Sequence, residues 1–394
     1  MNVTWLGYAA AVLALLGLGQ AMFGWWLAVR FVAAPQAVPG QRIPVTVLKP
    51  LYGDEPMLEQ ALSSHCWQND WPCQIVFGLH SHTDPALAVV KRVQARFPNA
   101  NIEVVINPAQ HGPNGKVSNL INMLPAAKYD VLVIADSDVH VRPDYLERLV
   151  AALEQPDSGL VTTLYAGLPG VSAPGQKPCL TGRLGAIAIT HYFLPGALLA
   201  RAMGRQDCLG ATMALRRDTL AAIGGLEALV QHLADDYTLG RLVQGIGLHV
   251  RVAATVPATT VPETNFRALY RHELRWARTI RALEPAAFAA SILQYPMVWA
   301  ALAAILSAGA SWAVSLFLFV WFLRVMAAQG ISHALIPLMP GLAFPASFWL
   351  LPLRELMSVL VMIASYGGDR VDWRGHTLHA DGPVSLSNPP APES

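Results

Sequence analysis

The sequence predicts an α/β domain with a mostly parallel sheet, attached to a membrane by apolar helices at both ends of the chain. Residues 1–29 contain no charged side chain. Residues 40–284 carry most of the charges and alternate short apolar strands with amphipathic helices, which is the pattern of a parallel sheet. Residues 285–323 and 325–353 are again free of Asp, Glu, Lys and Arg. These three observations predict a membrane-anchored α/β protein.

The composition supports the membrane attachment and argues against other classes. Charged residues make up 13% of the chain, about half the usual share for a soluble domain, and the mean hydropathy is +0.38. A net charge of +1 gives no reason to expect a nucleic-acid partner. The cysteines lack the spacing of zinc or redox motifs, so we expect them to be reduced, as in the cytoplasm. They are Cys66, Cys73, Cys179 and Cys208.

The first segment, residues 1–30, is predicted to be a transmembrane anchor, since about 20 apolar residues suffice to cross a bilayer. A secretory signal peptide normally opens with Lys or Arg, and "MNVTW" has neither. Trp25 and Trp26 lie where an aromatic belt is expected. Basic residues follow them: Arg30, Arg42 and Lys49. The positive-inside rule then predicts that the following domain is cytoplasmic.

The middle domain is predicted to span residues 40–265. Its predicted strands are 43–50, 73–80, 101–107 and 130–140. Its predicted helices are 85–97, 116–128 and 142–153. In sheets of this kind, ligands bind beyond the carboxyl ends of the strands. Asp84 and Asp136 each follow a strand directly, so we expect both at this edge.

The stretch "DVLVIADSDVH" ends a buried strand with two carboxylates, Asp136 and Asp138. If the backbone stays extended, the two side chains point the same way. Mg²⁺ and Mn²⁺ bind hard oxygen ligands, and Mg²⁺ commonly uses one or two protein carboxylates together with phosphate oxygens. A bound cation would offset the repulsion between the carboxylates, whereas the alternative is a solvated turn.

Other motifs favour a phosphate-bearing ligand at the same edge. "SHTDP" places Asp84 where a carboxylate could accept hydrogen bonds from a base or ribose. "GPNGKVSNL" places Lys116 at a helix start, a natural site for phosphate. "HLADDYTLG" places Asp235 and Asp236 beside a further predicted helix.

The last third of the chain is predicted to lie on and in the membrane. Residues 266–284, which include "RHELRWARTIRAL", read as a basic amphipathic helix, and lying on anionic lipid would by itself explain this pattern. Residues 285–368 are predicted to form transmembrane helices. Within them, "SAGAS" at 307–311 could turn a hairpin and return Arg324 to the cytoplasm.

A final span is predicted at 344–368, although it contains Arg354 and Glu355. Charges at that depth are costly, so we expect them either to pair with each other or to face a functional site that holds a lipid headgroup. Residues 369–394 are expected to form a polar tail. Its Pro-rich end, "GPVSLSNPPAPES", is expected to be disordered.

The sequence resembles a known family. Asp84, Asp136, Asp236 and the pair Arg275-Trp276 resemble the D, D, D, (Q/R)xxRW signature of membrane family 2-type glycosyltransferases. The phrases "VLKPLYGDEP", "SHTDPA", "GPNGKVSNL", "ADDYTLG" and "LRELMSV" are similar to the ceramide glucosyltransferase-like family, glycosyltransferase family 21. That family includes a bacterial branch associated with hopanoid biosynthesis. The resemblance runs through nearly the whole chain.

The resemblance implies a GT-A fold, which is Rossmann-like, a UDP-sugar donor and inversion at the anomeric carbon. It implies Asp236 as the general base and Asp84 as a uridine ligand. Donor binding would also involve Lys116, and Asp136 and Asp138 would hold Mg²⁺ or Mn²⁺ and the diphosphate.

On the leaving-group and acceptor side, the resemblance implies His272, Arg275 and Trp276. His272 stands where the signature has Gln or Arg, which puts its contact with the diphosphate in question. The DSD motif departs from animal relatives, which keep only the first carboxylate.

The expected function is transfer of N-acetylglucosamine or glucose to a membrane lipid hydroxyl, with a hopanoid such as bacteriohopanetetrol as acceptor. The expected location is a bacterial inner membrane, crossed several times. One alternative is a ceramide glucosyltransferase, and another is a processive polysaccharide synthase, which needs more spans for a channel. A polyprenyl-phosphate sugar synthase and a non-enzymatic nucleotide-sugar receptor fit the motifs less well.

Overall fold

The computed structural model describes residues 3–35, 37–171, 175–339, 346–368, 370–373 and 376–379. The strands are β1 (Val45–Pro50), β2 (Cys73–Leu79), β3 (Ile102–Ile106), β4 (Val131–Ala135), β5 (Val139–His140), β6 (Ser158–Thr162), β7 (Ala166–Pro169), β8 (Thr212–Arg216), β9 (His249–Val252), β10 (Ala258–Val261), β11 (Arg370–Trp373) and β12 (His376–His379). The helices are α1 (Val3–Ala33), α2 (Leu58–His65), α3 (Ala86–Arg96), α4 (Gly115–Met123), α5 (Tyr145–Leu153), α6 (Leu180–Ala188), α7 (Leu194–Ala202), α8 (Arg217–Ala222), α9 (Asp235–Gly245), α10 (Phe266–Leu283), α11 (Pro285–Ala290), α12 (Pro296–Leu306), α13 (Ser311–Leu335) and α14 (Leu350–Ser365).

A seven-stranded sheet in the order β3-β2-β1-β4-β8-β6-β9 forms the centre of the middle domain. Only β8 runs against its neighbours, being antiparallel to both β4 and β6. The other neighbouring pairs are parallel. The predicted α/β class with a mostly parallel sheet is therefore confirmed.

The sheet is covered by helices on both faces, which explains why its strands are apolar without alternation. In β4, Val131 and Val133 lie in a buried cluster with residues of α2, α3 and α5. The alternate residues Leu132 and Ile134 lie in a second cluster with residues of α4 and α9. Successive side chains of a strand point to opposite faces, so one short strand contributes to two cores.

The strands and helices predicted up to residue 153 are present, with ends that move by a few residues. The exception is the prediction of one strand across 130–140. The chain turns after Asp136, where the Val139 amide donates to the Asp136 carbonyl oxygen at 3.3 Å. β5 then joins a separate three-stranded sheet with β10 and β7. The extended geometry considered for Asp136 and Asp138 is therefore wrong, because they lie at a corner between two sheets.

Within the described part of the chain, three helical segments are long and apolar enough to cross a membrane: Trp5–Ala33, Leu180–Ala202 and Ser311–Leu338. A pair bent by 67°, Pro285–Gln294 with Pro296–Leu306, would make a fourth. The segment Leu180–Ala202 was not predicted from the sequence. In this segment 61% of the most apolar 18-residue window is buried inside the protein, against 28% of that window in the first and last segments. Much of its apolar surface therefore serves packing.

The helix α1 packs against α12, α13 and the turn Ser291–Gln294 that precedes α12, and two glycines allow the close approach. A Cβ on Gly17 would lie 2.1 Å from the carbonyl oxygen of Leu293, and one on Gly330 would lie 2.1 Å from the indole of Trp25. Small residues have this role at helix contacts in membranes. The N-terminal anchor and the C-terminal helices thus form one bundle.

The predicted hairpin at 307–311 is confirmed, since α12 ends at Leu306 and α13 begins at Ser311. The return of Arg324 to the cytoplasm stays a prediction. The helix α13 continues for more than two further turns, and Arg324 is only 2% exposed within it. The predicted span at 344–368 begins outside the described residues, and its described part contains a helix of 16 residues, α14. At 1.5 Å per residue it is about 24 Å long, shorter than the hydrocarbon core of about 30 Å.

The expectation that Arg354 and Glu355 pair with each other is also wrong, because neighbouring helical residues point in different directions. Arg354 makes a two-point contact with Glu273 on α10, at 2.6 and 2.7 Å. Glu355 accepts from the Met297 amide at 2.7 Å and lies 3.5 Å from Arg324. α14 is thereby joined to α10 on one side and to α12 and α13 on the other.

We expect Glu273→Gln to lower the unfolding temperature of the detergent-purified protein markedly. The substitution leaves Arg354, which is 1% exposed, without its counter-ion, and breaking a buried pair in this way costs roughly 3–5 kcal/mol. Glu59→Gln is the matched control, because it breaks an exposed pair with Arg92 worth about 1 kcal/mol at most. Equal thermal shifts for the two variants would contradict a stabilising role for the Glu273–Arg354 pair.

The predicted polar tail at 369–394 contains an unpredicted antiparallel hairpin of β11 and β12. The Pro-rich end of the tail lies outside the described residues.

Candidate active site

The corner after β4 brings the first carboxylate of the DSD motif to the carboxyl edge of the large sheet. The Asp136 amide donates to the carbonyl oxygen of Ala211 at 3.3 Å. Its own carbonyl oxygen accepts a hydrogen bond from Lys49 Nζ at 2.8 Å. The Asp136 backbone is therefore held from both sides, while its carboxylate is 36% exposed.

Lys116 joins this carboxylate to a second acidic pair. It follows Asn114, which caps α4 by accepting from the Val117 amide at 3.1 Å. Lys116 Nζ lies 2.8 Å from Asp136 Oδ1 and 3.3 Å from Asp235 Oδ2. Burial alone would lower the pKa of Lys116, but Asp136 and Asp235 raise it well above its usual value. The structure thus brings together Lys116, Asp136 and the Asp235–Asp236 pair.

Asp236 lies in the first turn of α9, beside Asp235. Its Oδ1 accepts from the Tyr237 amide at 2.8 Å. A Cβ added to Gly210 would lie 2.8 Å from Asp236 Oδ2, so a glycine opposite this carboxylate leaves it room. Burial, and then repulsion by Asp235, raises the pKa of Asp236 to about 6, although Lys116 opposes the shift. A carboxylate with such a pKa can accept a proton near neutral pH.

Asp138 faces the other sheet and a third acidic residue. It accepts a hydrogen bond from Thr259 on β10, while Ser137 between the two aspartates donates to Glu55 Oε2 at 2.6 Å. Burial raises the pKa of Asp138 to about 7, with further contributions from Asp136 and Glu55. Three acids therefore crowd one corner, and Glu55 was not predicted from the sequence.

Lys49 is the principal residue that the sequence analysis misread. It was counted as a cytoplasmic topology charge, but it is fully buried at the end of β1. Its Nζ lies 3.5 Å from His65 Nε2 in addition to its bond to Asp136. Burial lowers the pKa of Lys49 to about 7, although Asp138 and Asp136 oppose this. The sequence could have predicted Lys49 as a site residue, because this lysine lies at the end of an apolar strand, at the sheet edge where ligands bind.

Asp84 lies at the same sheet edge, after β2, but has a different set of contacts. It accepts hydrogen bonds from the Ala86 amide at 2.9 Å and the Gly53 amide at 3.0 Å. Gly53 has φ of 77°, so the carboxylate holds a tight turn of the loop after β1. Among the residues the structure describes, it makes no hydrogen bond to the other predicted site residues.

The residues predicted on the leaving-group side gather around Glu263, which follows β10. His272 Nδ1 is hydrogen-bonded to Glu263 Oε1, and its ring meets that of Trp276 edge-on at 4.5 Å between centroids. Although burial would raise the pKa of Glu263, the His272 hydrogen bond and the nearby Arg275 lower it. Glu263 was not predicted from the sequence.

The predicted metal ligands, Asp136 and Asp138, could supply part of the ligand shell of a divalent cation. Within the described ranges, no group of three or more His, Cys, Asp or Glu side chains could hold a metal by itself. Mg²⁺ does not require such a group, because it commonly takes one or two carboxylates and completes its shell with phosphate oxygens and water. Burial first, and then repulsion by Asp136 and Glu55, raises the pKa of Asp138, as expected for buried carboxylates that lie close together. Asp136 and Asp138 could therefore hold a divalent cation together with a diphosphate.

Comparison with protein families identifies the chain at the family level. The profile of Glycosyl transferase family 21 matches residues 9–383. The chain belongs to this family. Ceramide glucosyltransferase 1 of Caenorhabditis elegans is 24% identical over 247 residues, which are 61% of this chain and 50% of that protein. Ceramide glucosyltransferase of Komagataella phaffii is 35% identical over 123 residues, 30% of this chain and 24% of that protein. The chain thus spans half or less of the length of these relatives.

The fold is confirmed by a solved structure of similar length. The mannosyltransferase PcManGT from Pyrobaculum calidifontis, in complex with GDP-Man and Mn²⁺, aligns with a TM-score of 0.56 at 19% identity. The alignment covers 92% of this chain and 99% of that one. The family 21 chain therefore has the GT-A-like fold that its motifs predict.

Proposed function

We propose that this family 21 chain is an inverting membrane glycosyltransferase that moves a hexose from a UDP-sugar to a hydroxyl of a membrane lipid. The observation that carries the proposal is the meeting of Lys116, Asp136 and the Asp235–Asp236 pair at the carboxyl edge of the sheet. This edge is where α/β sheets bind ligands. It offers a cation for phosphate and carboxylates suited to a metal and a base.

On the donor side, we assign the uridine to Asp84 and the diphosphate to Lys116, Asp136 and Asp138. Mg²⁺ or Mn²⁺, held by Asp136 and Asp138, would neutralise the diphosphate and stabilise the negative charge that develops on departing UDP. Lys116 already lies against Asp136 and would add a positive charge beside the phosphates. Lys49 donates a hydrogen bond to the Asp136 carbonyl oxygen and thereby holds the backbone of the DSD motif in place.

For the chemical step, we assign Asp236 as the general base. Inversion requires a base opposite the leaving group that takes the proton from the attacking hydroxyl. The raised pKa of Asp236 gives it the basicity for that task. We place Arg275, Trp276 and His272 on the side of the leaving group and acceptor. Because His272 is bound to Glu263, we assign it to orienting this side rather than to contact with the diphosphate.

A lipid acceptor is favoured by the connection between the site and the membrane helices. The helix α10, which carries Arg275 and Trp276, is tied to α14 through Glu273 and Arg354. For this chain we propose a hopanoid tetrol as acceptor and N-acetylglucosamine or glucose as the sugar, because the Ala-rich and Trp-rich composition resembles that of bacterial proteins. Ceramide is the second candidate, favoured by the names of the curated relatives.

We also propose that the enzyme resides in a bacterial inner membrane with the GT-A domain on the cytoplasmic side. Arg30 in the last turn of α1 supports this orientation through the positive-inside rule. The span-length helices within the described residues number three, or four with the bent pair. That small number favours single transfer over a processive synthase, which needs a channel.

The test is a panel of donors and acceptors offered to the purified protein in detergent. UDP-glucose and UDP-N-acetylglucosamine are each combined with a hopanoid tetrol and with ceramide, and the lipids are analysed by mass spectrometry. The proposal predicts one sugar added per lipid and UDP as the other product. A ladder of repeating sugars would instead identify a processive synthase, and UDP-sugar binding without turnover would identify a receptor.

We expect kcat/KM, measured with saturating metal, to fall as the pH drops below about 6. The general base must be deprotonated, and burial raises the pKa of Asp236 to about 6, so the active form predominates above that value and is lost below it. The residual activity of Asp236→Asn is the control and should lack this acidic limb. An unchanged limb in that variant would assign the titration to another group.

A further inference from the structure

A cavity whose lining includes none of the predicted donor-site residues is lined by three arginines. It has a volume of about 180 Å³ and lies between the end of α7 and β9. Its charged lining comprises Arg201, Arg205 and Arg251, with His249 beside them. An adjoining cavity of about 120 Å³ shares Arg201 and Arg205 but is otherwise mostly apolar, with Phe31 and Leu198 in its wall. A basic chamber and an apolar chamber therefore meet at two arginines.

Within the described residues, Arg205 is the one of the three arginines that forms ion pairs. Arg205 lies 2.8 Å from Asp207 and 2.8 Å from Glu284. Asp207, whose charge also acts on Arg201, is held by Arg205 in a two-point contact. The acids at this position are therefore already engaged.

The other two guanidinium groups contact backbone oxygens rather than acids. Arg201 donates to the carbonyl oxygens of Val250 and Arg205. Arg251 donates to that of Pro156 at 2.9 Å, and its buried Nε has no hydrogen-bond partner in the part of the chain that is described. Two positive charges thus share one cavity without a carboxylate of their own. Guanidinium groups in such a position suit the oxygens of a phosphate.

The position of the cavity indicates which kind of phosphate-bearing molecule would bind there. Phe31 lies in the last turn of α1, next to Arg30. Glu284, the partner of Arg205, directly precedes Pro285, where the bent pair of apolar helices begins. The cavity therefore lies where membrane helices meet the GT-A domain. In a bilayer crossed by these helices, the headgroups would lie near the helix ends, and basic pockets between transmembrane helices on the cytoplasmic side bind anionic lipids.

We propose that this cavity is a binding site for an anionic membrane phospholipid. The phosphate lies against Arg201 and Arg251, and the apolar chamber beside Phe31 and Leu198 takes the first part of an acyl chain. The site is distinct from the donor carboxylates and from the acceptor side of α10. Its occupancy therefore does not depend on the identity of the sugar or of the acceptor lipid.

The test uses the full chain in a neutral detergent, with thermal unfolding and native mass spectrometry as readouts. Added phosphatidylglycerol should raise the unfolding temperature and remain bound, whereas zwitterionic phosphatidylcholine should do so more weakly. Arg201→Gln and Arg251→Gln should each weaken the apparent affinity for phosphatidylglycerol by about tenfold or more, the usual effect of losing a charge-assisted hydrogen bond. Arg267→Gln, which removes an exposed arginine from α10, is the matched control and should bind as the wild type does.

Three outcomes would overturn the proposal. One is equal phosphatidylglycerol affinity in the wild type and in both cavity variants. Another is an equal loss in Arg267→Gln, which would indicate general attraction to a basic surface. The third is full stabilisation by inorganic phosphate alone, which would identify a site for free anions. If Arg201→Gln does not fold, Arg251→Gln alone decides, because the Arg251 side chain makes a single hydrogen bond within the described residues.

Discussion

Replacing Asp236 by Asn should lower the rate of sugar transfer by about 100-fold or more, while donor affinity stays within a few-fold of the wild type. A general base acts in the chemical step and contributes roughly 10²–10⁴-fold to the rate, so the loss should fall on kcat rather than on ground-state binding. Asp236 is suited to this role because burial raises its pKa and because Gly210 leaves space beside its carboxylate. Turnover is measured at saturating donor, and donor affinity by calorimetry.

Asp218 provides a control, and Asp235 provides a comparison within the site. Asp218→Asn removes an exposed acid on α8 and should leave both constants unchanged. Asp235→Asn frees Lys116 from one of its two partners and should change donor affinity as well as turnover. Should Asp236→Asn lose donor binding yet keep its turnover at saturation, Asp236 would be a donor ligand and the assignment of the base would be wrong.

Activity should require Mg²⁺ or Mn²⁺ and disappear when the protein is dialysed against EDTA. Asp136 and Asp138 are negatively charged, as a diphosphate is, so they cannot neutralise it. The charge of Lys116 is already shared between Asp136 and Asp235. A divalent ion supplies the missing positive charge at the leaving group. The measurement is UDP release before dialysis, after it, and after each metal is added back.

The two carboxylates should differ in how they respond. Asp136→Asn should raise the metal concentration needed for half-maximal activity more than Asp138→Asn does, because Asp138 is already held by Thr259. Glu103→Gln is the control, because Glu103 lies in the edge strand β3 and is paired with Lys128. Full activity after exhaustive dialysis with EDTA would remove the metal from the scheme.

The parts of the fold that the sequence predicts correctly are those set by local pattern. The run from Val131 to Ala135 is apolar at every position, and such a run is typical of a strand covered on both faces. Lys116 was placed at a helix start because a Gly- and Pro-containing loop precedes it, and α4 does begin at Gly115. Turn residues likewise located the break between α12 and α13.

The errors arise where a residue's partner is distant in the sequence. The turn between Asp136 and Asp138 depends on β5 pairing with β10, more than 100 residues away. Arg354 was expected to pair with its neighbour, but Glu273 lies 81 residues away and reaches it through helix packing. Periodicity gives no information on such contacts.

Charge alone also gave no indication of the structural roles of Lys49 and Arg324. Both were interpreted as marking the cytoplasmic side, because positive residues near membrane segments usually do. Lys49 is instead buried under the DSD motif, and Arg324 lies inside the helix bundle beside Glu355. A buried cation needs an acceptor, and only the three-dimensional structure shows which one it finds.

The most direct test of the central claim is the anomeric configuration of the product. The glycolipid formed from an α-linked UDP-sugar by the wild-type protein is purified, and its linkage is determined by proton NMR. Direct attack by a lipid hydroxyl activated by Asp236 predicts a β-linked sugar on the lipid. An α-linked glycolipid, or release of free sugar without any glycolipid, would contradict the account.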